Sequence, residues 1–234
     1  LVVITGDIGE ADSIETYLRL IARILDCPVY FVLGNHDFYR VSFAGVRKTV
    51  RALCREIPQL VSLEDGAVVT IASQTALVGC DGWADGREGD FWHSDVELLD
   101  FHLIDELRDL DQATRIRRLN ELGDAAAARM AEILPRALAG HRHVILLTHV
   151  PPFREAAWYA GRESNALYLP FFCCRAAGET LRAIMAAHPD HRLTVLCGHT
   201  HGAGICHPAP NITVHTGGAV YGRPEVQPVE VVSA

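Results

Sequence analysis

The chain has 234 residues, 49% of them hydrophobic and 21% charged, with a formal charge of −8. That is enough apolar material for one sizeable core, so a single domain over residues 1–234 is expected. The acidic balance argues against holding long nucleic acid through a basic face, and no apolar run approaches the roughly 18 residues of a membrane span. Seven cysteines, an odd number with no CxxC pair, sit partly inside apolar runs, which points to reduced thiols in a cytoplasmic setting.

Short runs rich in Val, Ile and Leu, bounded by Gly, Pro or Asp, predict buried strands at residues 1–5, 29–33, 68–72, 75–80, 143–148, 193–197, 212–215 and 229–232. Helical patterns lie between them. One covers 11–25, with Asp12 or Ser13 as N-cap and Ile14, Leu18, Ile21 and Leu25 on one face. A second begins at Ser42 and a third spans "AAGETLRAIMAAH" at 176–188. The stretch 85–140, with its alanine run at 125–128, is longer than a simple crossover and reads as a helical insertion that caps the site. Alternating strands and helices predict an α/β fold. The runs at 68–72 and 75–80, joined by Ser73-Gln74, predict a hairpin and therefore mixed sheets.

Four of the apolar runs end alike. "LVVIT" runs into Gly6-Asp7, "VYFVL" into Gly34-Asn35-His36-Asp37, "HVILLT" into His149, and "LTVLC" into Gly198-His199-Thr200-His201. Ligands of open α/β sheets bind outside the carboxyl ends of the strands, so these four ends point at one place. Their oxygen and imidazole groups suit Zn, Mn or Fe, and the glycines let the backbone turn sharply near an ion. A second His-x-His, at His141 and His143, precedes its strand and falls at the opposite sheet edge. There Gly140 reads as a C′ cap and the imidazoles as partners of a helix C-terminus.

In order and spacing, Gly6-Asp7, "GNHD" at 34–37, Thr148-His149 and "GHTH" at 198–201 resemble the calcineurin-like metallophosphoesterases over nearly the whole chain. The resemblance implies a four-layer α/β-β/α sandwich with mixed sheets, two divalent metal ions (Mn, Fe or Zn) and hydrolysis of a small phosphorylated substrate, a monoester or diester. It implies that Asp7 bridges the two metals. Asn35, His149 and His199 complete one site, His201 binds the other, and His36 acts on the phosphoryl group, oriented by Asp37. The family's Asp-x-His motif does not occur before Asp7. The chain starts inside an apolar run without Met, so an upstream strand carrying that motif is expected, and the first metal site is incomplete in these residues. The rival reading is a catalytically degenerate scaffold of the same fold that binds a protein partner.

Weaker candidates flank these motifs. Asp81, Trp83, Asp85 and Arg87 follow the hairpin, and Arg154, Trp158, Tyr159 and Arg162 follow His149; both sets are expected near the substrate. His215 begins a glycine-rich strand end. The chain has no GxSxG elbow, no Walker A loop and no GxGxxG after a strand, and Cys173-Cys174 has no partner motif.

Overall fold

The computed structural model describes residues 1–223 and 225–227. Two sheets pack face to face. The smaller holds three parallel strands in the order β1 (Val2–Thr5), β2 (Val29–Val32) and β3 (Leu60–Ser62). Helix α1 (Ile14–Ile24) links β1 to β2, and α2 (Phe43–Glu56) links β2 to β3. The larger sheet contains β4 (Val69–Ala72), β5 (Thr75–Gly79), β6 (His143–Leu147), β9 (Arg192–Cys197), β10 (Gly204–Ala209) and β11 (Ile212–Thr216), in the order β10-β11-β9-β6-β5-β4. Its four inner strands are mutually parallel, and β4 and β10 run antiparallel at the edges, so the sheet is mixed as the hairpin predicts. A small hairpin, β7 (Trp158–Tyr159) with β8 (Arg162–Glu163), stands apart from both sheets.

The period-2 alternation of the strands sorts their side chains into layers. In β6, Ile145 and Leu147 face the other sheet, where they meet Val32, Leu63, Leu77 and Leu196. Val144 and Leu146 face outward, against α4 (Gln112–Leu138) and α6 (Arg175–Ala186). On the smaller sheet, Phe31 turns outward to α1 and α2. Both faces of both sheets are therefore buried, which is why these strands read as continuous apolar runs. The result is the four-layer α/β-β/α arrangement that the resemblance implies.

Several local expectations need correcting. Residues 85–140 do not stand off as a cap. They comprise extended loops, a single turn α3 (Asp100–Leu103) and α4, whose Met130, Ile133, Leu134 and Ala137 form the outer layer on the larger sheet. In α4 Ala126 and Ala127 are buried, and Gly123 packs so closely that a Cβ there would come within 3.2 Å of the Asp85 backbone. Gly140 follows the helix but stays outside the left-handed region. Ser13 precedes α1 without capping it, because its hydroxyl is used by Glu10, whereas Ser42 caps α2 by accepting from Gly45 N–H at 3.1 Å. The expected strand at 229–232 lies outside the described residues. Strands β3 and β10 and the β7–β8 hairpin have no counterpart among the expected runs. The last short helix is α5 (Leu169–Phe172). Among the described residues no helix is long and apolar enough to cross a membrane.

Candidate metal centre

Strand register brings the four motif ends together. In the smaller sheet Thr5 pairs with Val32, so Gly6-Asp7 and Gly34-Asn35 leave neighbouring strands at the same height. In the larger sheet Leu147 pairs with Leu196, and Gly198 N–H then donates to His149 O at 2.9 Å, which sets His149 beside His199. The two pairs meet across the sheet interface, where His149 Nδ1 donates to Thr5 O at 2.6 Å. The turns are tight. Gly6, Asp7, His199 and His201 all have positive φ, and a Cβ at Gly34 would come within 2.6 Å of His149 Cε1. Left-handed backbone at non-glycine residues costs on the order of 1–3 kcal/mol each, which packing here must offset.

Four side-chain atoms converge. His149 Nε2 lies 3.3 Å from Asp7 Oδ1, 2.9 Å from Asn35 Oδ1 and 3.2 Å from His199 Nδ1, and His199 Nδ1 lies 3.0 Å from Asn35 Oδ1. Three of the four groups are turned inward by a hydrogen bond made elsewhere on the same group. The other nitrogen of His149 donates to Thr5 O. His199 Nε2 donates to Phe171 O at 2.9 Å. Asn35 Nδ2 donates to Asp100 Oδ1 at 2.7 Å, and Tyr39 OH donates to the same oxygen at 2.9 Å. With the outward nitrogens engaged by backbone carbonyls, the Asn35 amide oxygen, the Asp7 carboxylate and His199 Nδ1 gather around His149 Nε2, and Asp7 Oδ1 also accepts from His36 N–H. Burial, then the neighbouring His149, pushes His199 down to about 3, so its imidazole stays neutral and able to donate an electron pair. Burial acts to raise the Asp7 carboxyl, but His149, His36 and His199 outweigh it and hold the group below the ordinary carboxylate value.

Oxygen and imidazole donors gathered in this way are chemistry suited to a divalent ion. No group of three among His, Cys, Asp and Glu alone could hold a metal in the described residues. The set here is completed by an amide oxygen, that of Asn35. The outward hydrogen bonds are those expected of the residues that orient metal ligands.

The other expected site residues are placed differently. His36 donates its backbone N–H to Asp7 Oδ1 at 3.1 Å, and its ring lies against Tyr39. Asp37 does not touch that ring. Its two oxygens accept backbone N–H groups from Gly9 and Gly34, both at 2.8 Å, in a fully buried position. The expected His36–Asp37 dyad is therefore replaced by a clamp: Asp37 ties the loop after β1 to the loop after β2. Adjacent residues in the tight turn His36–Phe38 point in different directions, so sequence adjacency does not make them partners. His201 lies beyond the cluster, with its ring 6.5 Å from that of His36 and no side-chain hydrogen bond among the described residues.

Of the flanking candidates, Trp83 is buried against Phe38 and Phe43, and Asp85 holds Arg87 and the N–H of Ala176 at the start of α6. Asp81 is a tie between sheets: its Oδ1 accepts from Leu33 N–H at 2.8 Å, its carbonyl accepts from His149 N–H at 2.7 Å, and Arg47 pairs with its Oδ2 at 3.0 Å. These residues make structural contacts within the scaffold. Trp158 O accepts from Gly202 N–H, so the β7–β8 hairpin flanks the His201 loop. Arg154 lines a separate, charge-balanced depression beside α6, and His215 lies on β11. Asp100 and Tyr39 were not expected; no local pattern marks them, since Asp100 reaches Asn35 across 65 residues.

The chain matches the calcineurin-like phosphoesterase family over residues 1–203. It belongs to that family. Members of this family generally bind two divalent metal ions, and the donor set above fits one of them. Among solved structures, a dimetal phosphatase from Danio rerio is similar in fold, with a TM-score of 0.53 and 14% identity over 92% of this chain and 71% of that one. A putative 5'-nucleotidase from Staphylococcus aureus, solved with alpha-ketoglutarate, has a TM-score of 0.45 at 14% identity, over 90% of this chain and 35% of that one. A comparison with curated proteins finds no match.

Proposed function

We propose that this calcineurin-like phosphoesterase hydrolyses a small phosphomonoester or phosphodiester, with Asp7, Asn35, His149 and His199 holding one divalent cation. The observation that carries the reading is the convergence of four donor side chains, three of them oriented by a hydrogen bond made elsewhere on the same group. When bound, a pair of divalent cations neutralises phosphoryl charge and lowers the pKa of a nucleophilic water. The chain's residues supply the rest. The Asp7 carboxylate offers two oxygens and a charge that offsets two cations, and His201 contributes to the second site. In this reading His36, at the rim of the cluster, hydrogen-bonds a phosphoryl oxygen or gives a proton to the leaving oxygen. Mn, Fe and Zn all suit these donors. The reduced cysteines, none of them disulfide-bonded, accord with a cytoplasmic setting.

The test is hydrolysis of p-nitrophenyl phosphate and bis-p-nitrophenyl phosphate after chelation and again with Mn²⁺ restored, beside N35A and H36A. Activity that requires metal and falls at least ~100-fold in H36A supports the reading, a loss in the range ascribed to general acid–base catalysis. Inactivity of the metal-loaded wild type toward both esters points instead to the scaffold of the same fold.

A further inference from the structure

The ring of His36 packs nearly parallel to two tyrosines. Tyr39 lies at 4.6 Å between centroids and 25° between planes, and Tyr221 at 5.7 Å and 21°. Tyr39 is buried and fastened to Asp100. Tyr221 is the opposite case: 71% of it is exposed, although one part of its ring rests on His36 and its edge meets His201 at 4.8 Å and 83°. The loop that carries it is anchored to the site by two backbone hydrogen bonds, Gly217 N–H to Cys197 O and Ala219 N–H to His201 O. An aromatic ring is thus held at the rim, in contact with two imidazoles and open to solvent on the side away from them.

Two further exposed apolar side chains lie nearby. Val220 precedes Tyr221 in the same loop. On the other flank of the His201 loop, exposed Tyr159 stacks on Tyr168 at 5.9 Å and 15°. Tyr168 in turn meets Phe172, whose ring touches that of His199 edge-on at 5.4 Å. Aromatic faces of this kind favour flat, polarisable rings through offset stacking, and every planar heterocycle or arene offers such a face.

We propose that Tyr221 is a specificity-determining residue, whose exposed face stacks a planar aromatic leaving group while the phosphoryl group lies at His36 and the metal centre. The inference rests on the phosphoesterase reading and narrows its substrate class to esters of aromatic or heterocyclic alcohols. Tyr221 takes no proton and forms no bond in this scheme; it acts through contact with the departing group.

The test compares the phenyl and ethyl esters of whichever class, monoester or diester, the wild type turns over, in wild type, Y221A and Y221F. Tyr221 lies at the surface, and thermal unfolding checks that each variant folds. The expected result is a KM for the phenyl ester raised about 3- to 10-fold in Y221A, the range of a lost aromatic pair, with the ethyl ester nearly unaffected and Y221F restoring the preference. Equal changes for both esters, or none, overturn the proposal. If the wild type turns over neither ester, the phosphoesterase reading fails by itself. Tyr221 is then judged by calorimetric binding of phenylphosphonate and methylphosphonate to the Mn²⁺-loaded protein. Weakening of phenylphosphonate alone in Y221A supports the stacking role, and equal binding, or no binding by the wild type, overturns it.

Discussion

Two stretches of this chain carry histidines one residue apart beside a buried strand, and they do opposite things. His141 and His143 enter β6; His199 and His201 leave β9. At the entering end His141 Nδ1 donates to Ala137 O in the last turn of α4, and its Nε2 meets Thr70 Oγ1. His143 Nε2 meets Thr194 Oγ1 on the adjacent strand. Both nitrogens of His141 and one of His143 are engaged by structure. At the leaving end His199 directs its proton to Phe171 O, and the remaining lone pair faces Asn35 Oδ1 and His149 Nε2. Identical spacing thus gives a helix-end contact in one place and a candidate ligand in the other, and what decides is the direction of the strand relative to the pair. Parallel strands converge their carboxyl ends on one crevice.

The comparison breaks most severely if the leaving pair is changed. H199A removes one of four donors and opens a gap in the cluster. We expect Mn²⁺ affinity and phosphoesterase activity to fall by more than about 100-fold, beyond the range known for losing an outer partner of a ligand. Metal titration and steady-state kinetics check this.

A smaller but more discriminating effect is expected at Asp100, which touches the cluster only through Asn35 and Tyr39. D100A frees the Asn35 amide to rotate, so metal affinity should drop about 10- to 100-fold while the donor atoms themselves remain. The same titration reads it, and no change would mean that Asn35 is held by other contacts.

At the entering pair the expected effects concern folding alone. His143 is buried, its Nδ1 has no partner, and burial pushes its pKa below the ordinary value. As pH falls through about 6.5, the unfolded chain takes up a proton here that the folded chain refuses, so this site lowers stability as the solution becomes more acidic. H143Q keeps an amide to meet Thr194 but cannot titrate. Its urea midpoint should decline less than that of the wild type between pH 7.5 and 5.5, with metal affinity unchanged. An unchanged decline would mean that His143 takes up its proton in the folded state. The smallest effect is expected for H141A, exposed on one side and within about 0.5 kcal/mol of wild type in a thermal melt.

Much of this was legible because the informative features are local. Apolar runs that stop at Gly or Thr mark parallel strands, and polar residues just beyond them mark the crevice; that rule brings Asp7, Asn35, His36, Asp37, His149, His199 and His201 to one place, and only the family resemblance singles out Asp7, Asn35, His149 and His199 as one ligand set. What was not legible is set by partners distant in sequence. Asp100 is a lone acid in an irregular segment, and Phe171 and Thr5 contribute through backbone carbonyls that no residue type encodes. Asp37 shows the converse failure: its neighbour in the chain suggested a partner, and its carboxylate instead joins two loops through backbone amides. Tyr221 lies beyond the last motif in a loop whose importance depends on contacts with His36 and His201. Strand β3 was missed because only three residues pair with β2, too few to show a period.

The most direct measurement is a calorimetric titration of Mn²⁺ into the chelator-treated wild type, H199A and H143Q in parallel. The account predicts tight binding by the wild type and H143Q and a loss of more than about 100-fold in H199A. Binding by H199A equal to wild type, or no binding of Mn²⁺, Fe²⁺ or Zn²⁺ by any of the three, would contradict it.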